Sequence, residues 1–223
     1  MGFPYYRLGL YLVSFTKQQC VREIVLHRHR LDREGPFIIA CTHLSHVEPL
    51  LVATLVKREI RWMARLEFHR HWLLGPAMRG LGTFCVNRQG VPVSAIRKSD
   101  QLLASGEIVG IFPEGGCRKG NDLAFRGGRI RQGVATIALR AQVPIVPIVI
   151  LGTDKMTDAD AWLPGKYGRA FTIVGETIIP PPVPPRAEWR RTRQALASQV
   201  ETGFITSYQE LLNTCGISDQ DVS

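Results

Sequence analysis

Residues 37–57 read F-I-I-A-C-T-H-L-S-H-V-E-P-L-L-V-A-T-L-V-K, and the fold class follows from how that stretch is read. Residues 37–41 form a short unbroken apolar run, the mark of a strand buried on both faces. A polar turn follows, and residues 48–57 then read as a helix. Working outward, the same alternation repeats. Further strands are expected at 24–27, 60–64, 83–86, 108–112, 145–151 and 171–174, and further helices at 71–79, 92–104, 128–141 and 187–212. Such alternation specifies an α/β fold with a largely parallel central sheet flanked by helices.

Three of these strands end just before a residue able to do chemistry: 37–41 before His43, 83–86 before Arg88 and 108–112 before Glu114. Ligands of open α/β sheets collect at the carboxyl ends of strands, so the three would share one edge. Histidine titrates near neutral pH and can take a proton from a hydroxyl if a carboxylate fixes its tautomer. Glu48 is the candidate orienter for His43. A second string, F-P-E-G-G-C-R-K-G at 112–120, adds an acid, flexible glycines and cations. Neither string places a nucleophile as a serine or cysteine hydrolase does, so the economical chemistry is direct attack by a substrate hydroxyl on an activated acyl group.

In that order the residues resemble the PlsC-like glycerolipid acyltransferase family (1-acyl-sn-glycerol-3-phosphate acyltransferase-like). The family's first block, His-x4-Asp and often Pro, is matched from His43 to Pro49, with Glu48 where the family has Asp. The second is similar to G-T-F-C-V-N-R, Gly82 to Arg88. The third, F-P-E-G-T-R-S, is matched by Phe112, Pro113, Glu114 and Gly115; Gly116, Cys117 and Arg118 then depart from it. The fourth resembles V-P-I-V-P-I at 143–148, preceded by R-Q-G at 131–133. Four ordered blocks, spanning about residues 36 to 180, are far more specific than any one alone.

The resemblance implies a glycerol-3-phosphate acyltransferase-like fold and transfer of a fatty acyl group from acyl-CoA or acyl-ACP to a (lyso)glycerophospholipid hydroxyl, with lysophosphatidic acid the default acceptor. It makes His43 the base, Glu48 its orienter and Arg88 the clamp on the acceptor's phosphate. Glu114 would take part in acceptor binding, Gly115 and Gly116 would let the backbone approach closely, and Arg118 or Lys119 would reach the same anion. The backbone at 143–145 is a candidate source of oxyanion donors. Thioester donors need no metal or redox cofactor, so none is expected. Other readings stay open: a different lipid acceptor, a non-catalytic lipid-binding protein of the same fold, or a plain ion pair between Arg88 and Glu114. A metallohydrolase built on His43, His46 and Glu48 is remote, since the frame is not H-E-x-x-H and no later Asp or His cluster offers a third ligand.

Composition is compatible with this reading. The 223 residues fit one α/β domain, and 28 Lys plus Arg against 19 Asp plus Glu give a formal charge of +9. That excess points to anionic partners, an anionic membrane surface or a phosphorylated substrate; nucleic acid is set aside because no aromatic-basic platform accompanies the charge. Cys20, Cys41, Cys85, Cys117 and Cys215 are odd in number and contain no C-x-x-C, so neither a disulfide framework nor a zinc ribbon is indicated. Cys41 and Cys85 read as core thiols, whereas Cys117 lies among Gly116, Arg118 and Lys119, cations that favour a reactive thiolate, although hydroxyl attack does not require it as a nucleophile.

Residues 1–20 read as an apolar N-terminal helix and candidate membrane-interface anchor, 21–185 as the catalytic core and 186–223 as a C-terminal helix and tail. No secretory signal or myristoylation pattern is present. The apolar stretch 3–15 would make a helix of about 20 Å, too short for a bilayer core of about 30 Å. It either lies in the interface or packs over the sheet. Together these features place the protein as a peripheral or monotopic one on the cytoplasmic face of a membrane. In the last helix Trp189, Leu196, Val200, Gly203, Phe204, Tyr208 and Leu211 form one apolar stripe, while Arg186, Arg190, Arg191 and Arg193 crowd its start, facing phospholipid headgroups or solvent.

Overall fold

The computed structural model describes residues 4–65, 82–86, 93–154 and 168–218. The helix expected at 71–79 and the proposed phosphate clamp Arg88 lie outside the described residues. In chain order the elements are α1 (Pro4–Cys20), β1 (Val21–Leu26), β2 (Phe37–Cys41), α2 (Glu48–Leu55), β3 (Ile60–Arg65), β4 (Phe84–Val86), α3 (Val93–Ala104), β5 (Ile108–Ile111), α4 (Gly133–Ala141), β6 (Ile145–Leu151), β7 (Gly168–Val174) and α5 (Trp189–Cys215).

Among the described residues the strands form one sheet in the order β1-β7-β6-β2-β5-β3-β4. Every pair is parallel except β6 with β7. Strands β2, β5 and β6 are buried at every position, as strands covered on both faces must be. Their alternating side chains feed two cores. Ile38 and Ala40 join Leu103, Ile137 and Phe204 beneath α3, α4 and α5, while Phe37, Ile39 and Cys41 join Val52 and Leu55 of α2. Helices thus cover both faces, and the carboxyl ends of β2, β5 and β6 open on one edge.

Several boundaries differ from the sequence expectation, each for a local reason. Strand β1 starts at Val21, directly after α1, and stops at Leu26 because His27 takes a left-handed conformation at φ 55°. Helix α4 begins at Gly133, not at 128: a Cβ on Gly128 would lie 2.1 Å from the Asp122 carbonyl oxygen, so this glycine serves a close loop crossing. Helix α5 runs on to Cys215 and ends at Gly216, whose φ of 61° turns the chain so that the Ile217 amide reaches back to the Leu212 carbonyl at 3.2 Å. Cys41 is buried as expected, but Cys85 is exposed, since β4 is a three-residue strand at the sheet edge.

Helix α1 packs against the sheet on one side and leaves another side exposed. Tyr6 is buried, and its hydroxyl accepts the Ile60 amide at 3.0 Å, fixing the helix to the start of β3. Lys17 pairs with Glu23 and donates to Thr54 Oγ1 at 2.9 Å. On another side, Tyr11 and Phe15 are 71% and 58% exposed. No helix among the described residues is long and apolar enough to cross a membrane.

Candidate active site

The chain leaves β2 at Cys41, keeps one more ladder bond from the Thr42 amide to the Ile148 carbonyl at 3.1 Å, and turns at His43. The turn brings Glu48, the first residue of α2, back onto the imidazole: His43 Nδ1 and Glu48 Oε2 are 2.7 Å apart. Glu48 is 0% exposed. Its Oε1 accepts the amides of Leu44 and Ser45 at 3.0 and 2.7 Å and the Thr153 hydroxyl at 2.5 Å. A buried carboxylate needs such a set of donors, and its place at a helix N-terminus adds a favourable dipole. The extra methylene of glutamate is therefore accommodated, with the acid still reaching its histidine.

The imidazole is held in plane by stacking. Its centroid lies 4.1 Å from that of Phe112, which in turn stacks on Trp62 at 4.8 Å. With Nδ1 donating to Glu48, the Nε2 lone pair is the basic position. Burial alone pulls the His43 pKa down, but the Cys117 sulfur and the Glu48 carboxylate together outweigh burial and hold it at about 9, against the ordinary 6.5.

Glu114 is brought to the same turn but faces inward. It is 1% exposed, its Oε2 accepts the His43 amide at 2.6 Å and its Oε1 the Ala124 amide at 2.7 Å. Burial pushes its pKa up, opposed by those two amides. The carboxylate expected to meet an acceptor hydroxyl instead fixes the backbone of the base. Gly115 has φ 79°, and a Cβ there would sit 2.5 Å from Arg131 Nε, so the bare backbone lets this guanidinium close on the loop. The Arg131 amide bonds the Pro113 carbonyl at 2.8 Å. Gly116 follows, half-buried. The Arg118 amide donates to the His43 carbonyl at 2.8 Å and its guanidinium to the Glu114 carbonyl at 3.2 Å; Lys119 is exposed beside it.

The backbone at 143–145 lies elsewhere. Parallel pairing sets Ile145 beside Ile38, at the amino end of β2, so it is about 15 Å from the edge where His43 sits. The Ile145 amide is also engaged, by the Ile178 carbonyl at 2.9 Å. Residues that the sequence reading gave no role complete the site: Thr153 behind Glu48, Phe112 under the imidazole, and Arg131 over Gly115. Phe112 and Arg131 carried a signal, as the first residues of the F-P-E-G and R-Q-G blocks; Thr153 carried none.

An imidazole steered by a buried carboxylate, at the carboxyl edge of a mostly parallel sheet, equips a protein for general-base chemistry on a hydroxyl. The chain belongs to the Acyltransferase family, whose model matches residues 23–151, and it is an acyltransferase enzyme. It is 29% identical over 155 residues to 1-acyl-sn-glycerol-3-phosphate acyltransferase of Bacillus subtilis, covering 69% of this chain and 72% of that protein. To the human 1-acyl-sn-glycerol-3-phosphate acyltransferase alpha it is 25% identical over 214 residues, 92% and 70% of the two chains. The fold is similar to that of the crystal structure of the 1-acyl-sn-glycerophosphate acyltransferase PlsC from Thermotoga maritima. That match has a TM-score of 0.58 at 18% identity and covers 86% of this chain and 80% of that one.

Proposed function

We propose that this enzyme moves a fatty acyl group from a thioester, acyl-CoA or acyl-ACP, to the free hydroxyl of a lysoglycerophospholipid such as lysophosphatidic acid. The observation that carries the reading is the 2.7 Å contact between His43 Nδ1 and Glu48 Oε2, which leaves Nε2 as the base. In this scheme Nε2 takes the hydroxyl proton as the oxygen attacks the thioester carbonyl, Glu48 steadies the imidazolium, and collapse of the tetrahedral intermediate expels the thiolate, which recovers the proton. An ester and a free thiol result. Arg131 and Arg118, on the same edge, would add positive charge for an acceptor phosphate to the clamp assigned to Arg88 and to the charge of Lys119.

Attachment to an anionic cytoplasmic membrane face belongs to the same proposal, supported by the exposed Tyr11 and Phe15 and the +9 charge. The names of the relatives support a glycerolipid acceptor. The close fit of Glu48 to His43 weighs against an idle, purely lipid-binding protein. The test is a panel of lysophospholipid, glycerol 3-phosphate and glycolipid acceptors with a labelled long-chain thioester. Wild type should acylate a lysophospholipid, and His43→Ala should lose that transfer while still binding lipid. Equal transfer by both proteins would overturn the role of His43.

A further inference from the structure

We infer that His43, His46 and Cys117 form a binding site for a zinc-class divalent ion whose occupation silences His43 as a base. The three side chains come from two loops, and folding brings their ligand atoms within 4.8 Å of one another. Cys117 Sγ lies 3.9 Å from His46 Nδ1. In tetrahedral zinc sites, with Zn–S about 2.3 Å and Zn–N about 2.0–2.1 Å, neighbouring ligand atoms stand about 3.5 Å apart. Closing around an ion thus takes side-chain shifts of about 1 Å, and His46 and Cys117 are exposed and able to make them.

Three further features favour occupation. His43 is held as metal-ligating histidines are, with one ring nitrogen bonded to a buried carboxylate and the other left to ligate. The two loops are already tied together, since the Arg118 amide donates to the His43 carbonyl at 2.8 Å and the His43 amide to Glu114 Oε2 at 2.6 Å. Cys117 lies between those two anchors in sequence. Finally, two imidazoles and a thiolate are a borderline-soft donor set that selects zinc over magnesium or calcium. From sequence, a metal here lacked a third ligand; the fold supplies one as a cysteine rather than an Asp or His.

Three protein ligands leave a fourth position to water, but the ion takes the Nε2 electron pair that acyl transfer needs. Binding of the ion is independent of the proposed reaction, whereas its inhibitory effect rests on His43 being the base. The thiolate ligand and the Glu48 carboxylate offset the charge of the ion beside Arg118.

The experiment takes the full chain, stripped with a chelator in phosphine reductant, and titrates it with Zn2+ and, as a spectroscopic probe, Co2+. One zinc should bind per chain, measured against a chromophoric competitor, and Co2+ should give an intense thiolate-to-metal absorption band. Cys117→Ala should lose that band, and Cys117→Ala and His46→Ala should each bind zinc at least about 100-fold more weakly, since losing a ligand costs no less than the roughly 10–100-fold that losing an outer-shell partner does. Zinc should abolish acyl transfer by wild type reversibly, with activity restored by chelation, while the rate of each variant with zinc should match its own rate without it. Absence of stoichiometric binding, a cobalt band that survives in Cys117→Ala, or stimulation by zinc would each overturn the inference. If zinc binds as described but the stripped protein acylates no acceptor, the metal site stands and the proposed function fails.

Discussion

Four donors converge on the Glu48 carboxylate, and this explains how one buried acid can both exist without solvent and steer a base. Glu48→Gln keeps the volume and removes the charge, so it should lower kcat by about 10²–10⁴-fold, measured at saturating thioester. The pH profile follows from His43. Its pKa is raised to about 9, and in the proposed reaction the neutral imidazole is the reacting form, so kcat/KM should climb with pH and level off only above about 9. In Glu48→Gln one of the raising partners is gone, and that limb should move to lower pH. A wild-type profile flat through this range contradicts His43 as the base. Gly115→Ala places a Cβ at a left-handed position and against Arg131, which should cost about 1–2 kcal/mol in denaturant unfolding and raise KM for an anionic acceptor. The pairing of His43 with Glu48 was legible in the sequence because both lie on one short turn. The inward turn of Glu114 was not, since it depends on amides at His43 and Ala124 that only folding brings near.

At the scale of elements, the site is a junction of strand ends. Thr153, just after β6, bonds the acid at the start of α2, so two elements far apart in sequence are locked through one hydroxyl. Thr153→Val should cost about 1–3 kcal/mol, because a buried acceptor loses a donor, and should lower kcat without changing the sheet, as seen by circular dichroism. Strands β2 and β6 were read to the residue, since a strand buried on both faces is an uninterrupted apolar run with polar or turn residues at its borders. Boundaries set by backbone geometry were not readable: the left-handed His27 that ends β1, and the contact that keeps Gly128 out of α4, leave no hydrophobic pattern. The Cys117, His43 and His46 cluster was hidden for a similar reason, as its members are contributed by separate loops.

For the whole molecule, the proposed membrane attachment draws on the +9 charge and on the outward aromatic residues of α1. Binding to anionic vesicles should weaken as salt is raised, because exposed charges are screened beyond about 10 Å at 0.1 M ionic strength. A Tyr11→Ser, Phe15→Ser double variant should sediment less with vesicles at any salt while unfolding at an unchanged denaturant concentration, since both side chains are exposed. The sheet order carries one more consequence. Strand β1 pairs with β7, so Val21 waits for Gly168, a partner made at the other end of the chain. At roughly 5–20 residues per second of synthesis, about 7–30 s separate the emergence of the two from the ribosome. Throughout that interval the nascent chain presents α1 beside an unmated strand, so this flank of the sheet closes only after most of the fold has been synthesised.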